Sequence, residues 1–224
     1  MSENEIASTA SDENKKSTKL YLLRHAETDK NVLKKVKKSS SAESVSTNSL
    51  ALSYSSLISD KNSTLNHRGK IQAGIVGDYF NTMDNKICAI ISSPLIRTVE
   101  TADIIIKRLK GDSNKSDIEK SIEFEIDERL FCGKSYKLMS EANMLKDVSD
   151  LLNELIIKYN GFDVVMVTHN HILNIINKLY VKKTIGKCKV GNCSISCLEF
   201  IGKENKPDVL FWAKTIKIKY ELVD

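Results

Sequence analysis

Residues 19–31 read KLYLLRHAETDKN, and this stretch decides the fold. Leu20–Leu23 is an apolar run without polar alternation, the pattern of a strand covered on both faces rather than one. It stops abruptly at Arg24-His25. The same construction returns twice: Ile87–Ile91 runs into SSPLIR (Ser92–Arg97), and Phe162–Val167 runs into Thr168-His169.

Helical patterns fill the intervals. Ile71, Ile75, Val76, Tyr79 and Phe80 keep helical spacing from about Arg68 to Met83. Ser93-Pro94 predicts an N-cap and first residue for a helix that Lys110-Gly111 closes. Leu145, Val148, Leu152 and Leu155 predict a helix ending at Asn160-Gly161, and Ile172, Ile176 and Leu179 another. Ile122–Ile126, Cys193–Phe200 and Leu210–Tyr220 complete the strands. Alternating buried strands and helices predict an α/β fold: one domain, a mostly parallel central sheet, helices on both faces.

Composition narrows the class. The 224 residues carry a net charge of only +5, too little for a nucleic-acid footprint, so no nucleic-acid partner is expected. No apolar run approaches the ~18 residues of a membrane span, and the polar start lacks a signal-peptide core. Five cysteines, an odd number without a CxxC pair, fit a reduced, cytoplasmic protein. Neither a metal site nor a cofactor is expected. Residues 1–18 read as a disordered tail and 19–224 as the domain. A Lys-rich, then Ser-rich insertion at about 34–63 is expected to be poorly ordered.

The chemistry collects at strand ends. In open α/β sheets, ligands bind at the carboxyl ends of the strands. Arg24 and His25 end the first apolar run, and His169 ends the Phe162–Val167 run. The third strand, in FEIDERL, ends in Glu128, and Arg97 sits in the first turn of a helix, leaning back toward the same rim. Two guanidiniums suit a phosphate's oxygens, a neutral imidazole can attack phosphorus, and a carboxylic acid can protonate the leaving oxygen. Taken singly, each residue has an ordinary structural reading; together on one rim they point to phosphoryl transfer.

These segments resemble the histidine phosphatase superfamily, the phosphoglycerate mutase-like fold. RHAET (24–28) with Asn31 is similar to its RHGET-x-x-N signature, LNHRGKIQA (65–73) to its LTxxGxxQA segment, and SSPLIRTVETA (92–102) to SSPLxRTxxTA. VTHN (167–170) resembles its second-histidine motif, with Asn170 where Gly is usual. The resemblance implies His25 as nucleophile, Arg24 and Arg97 as phosphate ligands, and His169 as the second histidine. It implies Glu128 as general acid, although DERLFCG carries one residue more than the family's ExxxG. Thr28, Asn31 and Asn170 would line the phosphate mouth. His67 and His171 receive no role.

The implied activity is metal-independent phosphomonoester hydrolysis of a small phosphorylated substrate, with a phosphoprotein as the other class. A phosphoglycerate mutase and a non-catalytic interaction domain are the alternatives. GNCSISCLEF (191–200) is similar to the phosphatase branch's NxSVxxLE segment, and nothing matches a mutase RFTGWxD loop, so hydrolysis is favoured.

Overall fold

The structure, a computed structural model, describes residues 16–39, 63–84, 86–111, 121–131, 139–182, 190–202 and 206–217. Its elements run β1 (Ser17–Arg24), α1 (Asp29–Ser39), α2 (His67–Asn81), β2 (Ile87–Ser92), α3 (Ile96–Lys110) and β3 (Glu123–Ile126). A 3₁₀ turn (Glu128–Leu130) leads on to α4 (Glu141–Lys158), β4 (Asp163–Thr168) and α5 (Asn170–Ile176). A π-helical turn (Asn177–Val181), β5 (Ile195–Ile201) and β6 (Asp208–Lys214) follow.

The six strands form one sheet in the order β3-β2-β4-β1-β5-β6. Strands β1 to β4 are mutually parallel, while β5 runs antiparallel to both β1 and β6. This is the predicted α/β architecture. Parallel pairing puts the carboxyl ends of β1, β2, β3 and β4 on one rim, and the reversed β5 brings its start, beside Leu23, to the same rim.

The absence of alternation in the apolar runs now has its cause. On one face, Leu20, Leu22, Val164, Met166 and Leu198 pack with α4 and α5 residues such as Leu152, Leu155 and Ile172. On the other, Tyr21, Leu23, Val165 and Val167 pack with Val76 and Phe80 of α2 and Ile105 of α3. Both faces of β1 and β4 are sealed. Burying each such side chain contributes roughly 1.5–3 kcal/mol.

Four details differ from the sequence reading. Strand β1 starts at Ser17, inside the expected tail, because the buried Thr18 hydroxyl bonds the Tyr159 carbonyl and the Gly161 amide; residues 1–15 lie outside the described residues. Helix α1 was not expected, and it takes Lys34–Ser39 out of the insertion. Of the rest of that segment, 40–62 lies outside the described residues, while Ser63 is buried. Helix α3 starts at Ile96 with Leu95 as its cap, not at Ser93, whose hydroxyl is engaged elsewhere. Finally, β3 stops at Ile126, so Glu128 opens a 3₁₀ turn capped by Asp127.

Cys193 and Cys197 are buried free thiols, as the apolar setting of those cysteines suggested; Cys132 and Cys188 lie outside the described residues.

Candidate active site

The rim at the carboxyl end of β1 holds a cavity of about 230 Å³. Arg24, His25, Arg97 and His169 form its floor, brought together from the ends of β1 and β4 and the first turn of α3. Four of the five residues expected to carry the chemistry therefore meet.

His25 is 5% exposed, and its Nδ1 lies 2.8 Å from the Ala26 carbonyl oxygen. A carbonyl only accepts, so Nδ1 carries the proton and Nε2 keeps its lone pair. Burial first, then the Arg97 charge, push this imidazole down to about 3; Arg24 and Lys34 add to the shift, and the bond to Ala26 opposes it. His25 is neutral at physiological pH.

His169 stands beside it, the ring centroids 5.2 Å apart. Its Nδ1 lies 3.4 Å from Arg97 Nη2 and its Nε2 2.8 Å from Ser93 Oγ. A guanidinium only donates, so Nδ1 accepts and Nε2–H donates to the serine. Burial, the adjacent His25, Arg97 and Arg24 push His169 down to about 2.

The two guanidiniums are held differently. Arg97 is 8% exposed. Arg24 Nη1 donates to the Val190 carbonyl at 2.7 Å, while its buried Nε makes no hydrogen bond among the described residues. Burial and then Arg97 lower the Arg24 guanidinium below its ordinary value, with Cys193 opposing. Confined like charges beside an orphan donor call for an anion.

The loop after β1 is locked from three sides. The Ala26 amide donates to Thr101 Oγ1, whose proton goes to the Arg97 carbonyl. The Glu27 amide donates to Gln72 Oε1 at 3.0 Å. At Gly69 a Cβ would stand 2.1 Å from the Glu27 carbonyl oxygen, which only glycine permits. Burial pushes the Glu27 carboxyl up, but the Lys35 ammonium at 2.6 Å and Asn66 outweigh it and hold it below the ordinary carboxylate value. Thus Glu27, Gly69 and Gln72 tie RHAET to LNHRGKIQA, and Thr101 ties it to SSPLIRTVETA.

Thr28, Asn31 and Asn170 line the cavity. Asn31 Oδ1 accepts from Thr28 N, Thr28 Oγ1 and Asn192 Nδ2, which leaves its NH₂ for a ligand oxygen. Glu128 is not brought in: it is exposed on the 3₁₀ turn and absent from the cavity wall. His67 is exposed at the start of α2, but His171, given no role, borders the mouth.

Several residues escaped the sequence reading. Ser93 is the buried partner of His169. Asn192 Nδ2 bonds the His25 carbonyl at 3.0 Å, from a turn in which Cys193 adopts a φ of 53°. Lys30, Lys34 and Ser63 complete the wall. Asn192 lies within GNCSISCLEF, and that was its only signal.

The histidine phosphatase superfamily (branch 1) model matches residues 53–131, a span that includes Gly69, Gln72, Arg97, Thr101 and Glu128. Over that span, about a third of its length, the chain is similar to the histidine phosphatase superfamily. Solved structures of similar fold cover most of the chain. A phosphoglycerate mutase from Bacillus anthracis str. Sterne has a TM-score of 0.61 at 14% identity, over 90% of this chain and 95% of that one. Phosphoserine phosphatase from Entamoeba histolytica, in complex with 3-phosphoglyceric acid, gives 0.56 at 22% identity, over 88% and 98%. The protein histidine phosphatase SixA, complexed with tungstate, gives 0.55 at 13%, over 86% and 94%. No curated protein sequence matches. The superfamily holds both phosphatases and mutases, and these likenesses carry the fold alone. RHAET and VTHN lie outside the matched span, and the geometry joins them to it.

Proposed function

We propose that this protein is a member of the histidine phosphatase superfamily and a phosphomonoester hydrolase that works through a phosphohistidine at His25 without a metal ion. The observation that carries the reading is the neutral, buried His25, its Nε2 lone pair open to a cavity floored by Arg24, Arg97 and His169. A phosphate entering the cavity meets two guanidiniums that supply the charge compensation a metal would otherwise provide. The Nε2 lone pair forms the N–P bond as the ester P–O bond breaks, and the leaving oxygen takes a proton. The Nδ1–H bond to Ala26 stabilises the positive charge that develops on the ring. Water then attacks phosphorus, the N–P bond breaks, inorganic phosphate leaves and neutral His25 returns.

Glu128 stands just after β3, outside the cavity wall, and the proton transfers are given to it on the resemblance of DERLFCG to the family's acid segment alone. Glu128→Gln should slow esters of alkyl alcohols far more than an aryl ester whose leaving anion needs no proton. The Asn-Cys-Ser-Ile segment at β5 supports hydrolysis over transfer between positions of a phosphoglycerate. The test is release of phosphate from an aryl phosphate in excess EDTA. Undiminished turnover is expected; activity that vanishes and returns with Mg²⁺ would overturn the reading.

A further inference from the structure

The second histidine is held by a residue that does not itself line the cavity. Ser93 directly follows β2 and is fully buried, with its backbone fixed on both sides. Its amide donates to the Val167 carbonyl at 3.1 Å, and its carbonyl accepts from Ser92 Oγ at 2.9 Å and from Thr98 Oγ1 at 2.8 Å. Anchored in this way, its hydroxyl meets His169 Nε2 at 2.8 Å. The other ring nitrogen, Nδ1, makes the longer contact, 3.4 Å to Arg97 Nη2.

A phosphate on the floor draws the Arg97 donors to its own oxygens, and Ser93 is then the fixed partner of the ring. With Nε2–H given to Ser93, the nitrogen left to face the phosphate is Nδ1, which carries a lone pair. Two lone pairs in contact repel, so this contact needs a proton. We propose that Ser93 is a positioning residue that sets the tautomer of His169, and that the phosphoryl group is bound together with a single proton, which stands on His169 Nδ1. This rests on the reading of the floor as the phosphate site. From a monoester monoanion the ester's own proton moves to Nδ1; with a dianion the proton comes from solvent. The resulting imidazolium donates to a phosphoryl oxygen through Nδ1 and to Ser93 through Nε2, and the proton departs again when inorganic phosphate leaves. The charged and titratable groups around the ring are Arg24 and His25 at the end of β1 and Arg97 on α3, with Lys30 and Lys34 of α1 and His171 of α5 lining the same cavity. Without an anion, burial, then His25, Arg97 and Arg24, hold the ring neutral. A dianion among these groups offsets the guanidinium charges and favours the imidazolium.

Calorimetric titration with tungstate reads this proton directly, because the tetrahedral dianion carries none of its own in mildly alkaline buffer. Compared across buffers of different ionisation enthalpy, the wild type should take up about one proton per anion bound, and its affinity should fall about tenfold for each unit of rising pH. His169→Asn should take up none, whereas His25→Asn should keep the uptake. Ser93→Ala frees the neutral ring to carry its proton on Nδ1, so uptake should fall toward zero; Ser93→Thr, which keeps the oxygen, should restore it. Ser92→Ala removes the neighbouring buried hydroxyl and should leave uptake unchanged, whereas a merely structural role for Ser93 would make the two alanine variants alike. Independently of any variant, ¹⁵N NMR of the wild type without anion should show His169 protonated at Nε2 and bare at Nδ1. The reverse tautomer, no binding of tungstate, binding without uptake in the wild type, or uptake that persists in Ser93→Ala or His169→Asn would each overturn the inference. Ser93-dependent uptake in a protein that hydrolyses nothing would leave the role of Ser93 standing and overturn the hydrolase reading alone.

Discussion

The two rims of the sheet each carry a cavity, and the larger one is not where the chemistry gathers. At the amino-terminal rim of β1, a space of about 560 Å³ is lined by Lys16, Lys19 and Lys86 together with Asp84, Asp163 and Glu199. There the charges are mixed and engaged locally. Asp163 Oδ2 accepts from the Lys86 amide at 3.1 Å, and Glu199 Oε1 accepts from the Ser17 hydroxyl at 2.5 Å. The carboxyl-end cavity is about 230 Å³, yet its described wall is cationic without a carboxylate, its two floor histidines are buried and neutral, and one guanidinium nitrogen is orphaned. Volume measures how the surface is folded. Charge of one sign gathered at the strand ends measures what the fold is built to receive.

The largest separation between the rims should come from substitution of the floor. Arg97→Ala should lower kcat/KM for an aryl phosphate by about 10²–10³, the usual loss for a donor facing the transferring oxygens, and His169→Asn, which removes the ring that holds Arg97 and Ser93, should lower it as well. Lys19→Gln and Lys86→Gln at the other rim should leave it near the wild-type value. Steady-state kinetics on the four variants checks this; comparable losses at both rims would erase the distinction.

Acid should weaken the protein through the floor histidines. Histidine in the unfolded chain titrates near ~6.5, whereas folded His25 and His169 sit at about 3 and about 2. Between those values the unfolded state binds protons that the folded state refuses. Their contribution is complete above the unfolded value and is lost as pH falls toward the folded values. The unfolding free energy read from urea titrations should therefore drop between pH 7.5 and pH 5, by roughly 2 kcal/mol per histidine. His25→Asn and His169→Asn should each flatten the slope; unchanged slopes would mean that the rings are charged or solvated.

A smaller effect is expected where no ligand is touched. Gly69→Ala forces a Cβ against the Glu27 carbonyl and should cost about 1–3 kcal/mol by overpacking. Because the displaced backbone is the RHAET loop, turnover should fall as well. Urea unfolding and kcat measured on the same preparation separate the two effects.

The legible part of this molecule was what the strand ends present. Leu20–Leu23, Ile87–Ile91 and the Phe162–Val167 run lack alternation because both faces are sealed, and their termini fixed where Arg24, His25 and His169 would stand. Arg97 was readable because a first-turn side chain leans back to the rim. Other features depended on distant partners. Ser93 before proline looks locally like a helix cap, and its hydroxyl's partner lies 76 residues away. Asn192 reaches across 167 residues to the His25 carbonyl. Helix α1 was hidden because a lysine-rich stretch shows little apolar period; its position comes from the loop that Thr28 and Asn31 organise. Glu128 was read as a strand-end group, but β3 stops two residues earlier and leaves it exposed on the turn.

The central claim is that His25 is the atom-bearing partner of the phosphoryl group. A rapid acid-free quench of the enzyme mixed with ³²P-labelled aryl phosphate should trap label on the protein that resists base and is released by acid, as a nitrogen–phosphorus bond requires. Peptide mapping should place it on His25, and His25→Ala should lose both label and turnover while unfolding as cooperatively as the wild type. Label on another residue, or full turnover by His25→Ala, would contradict the account.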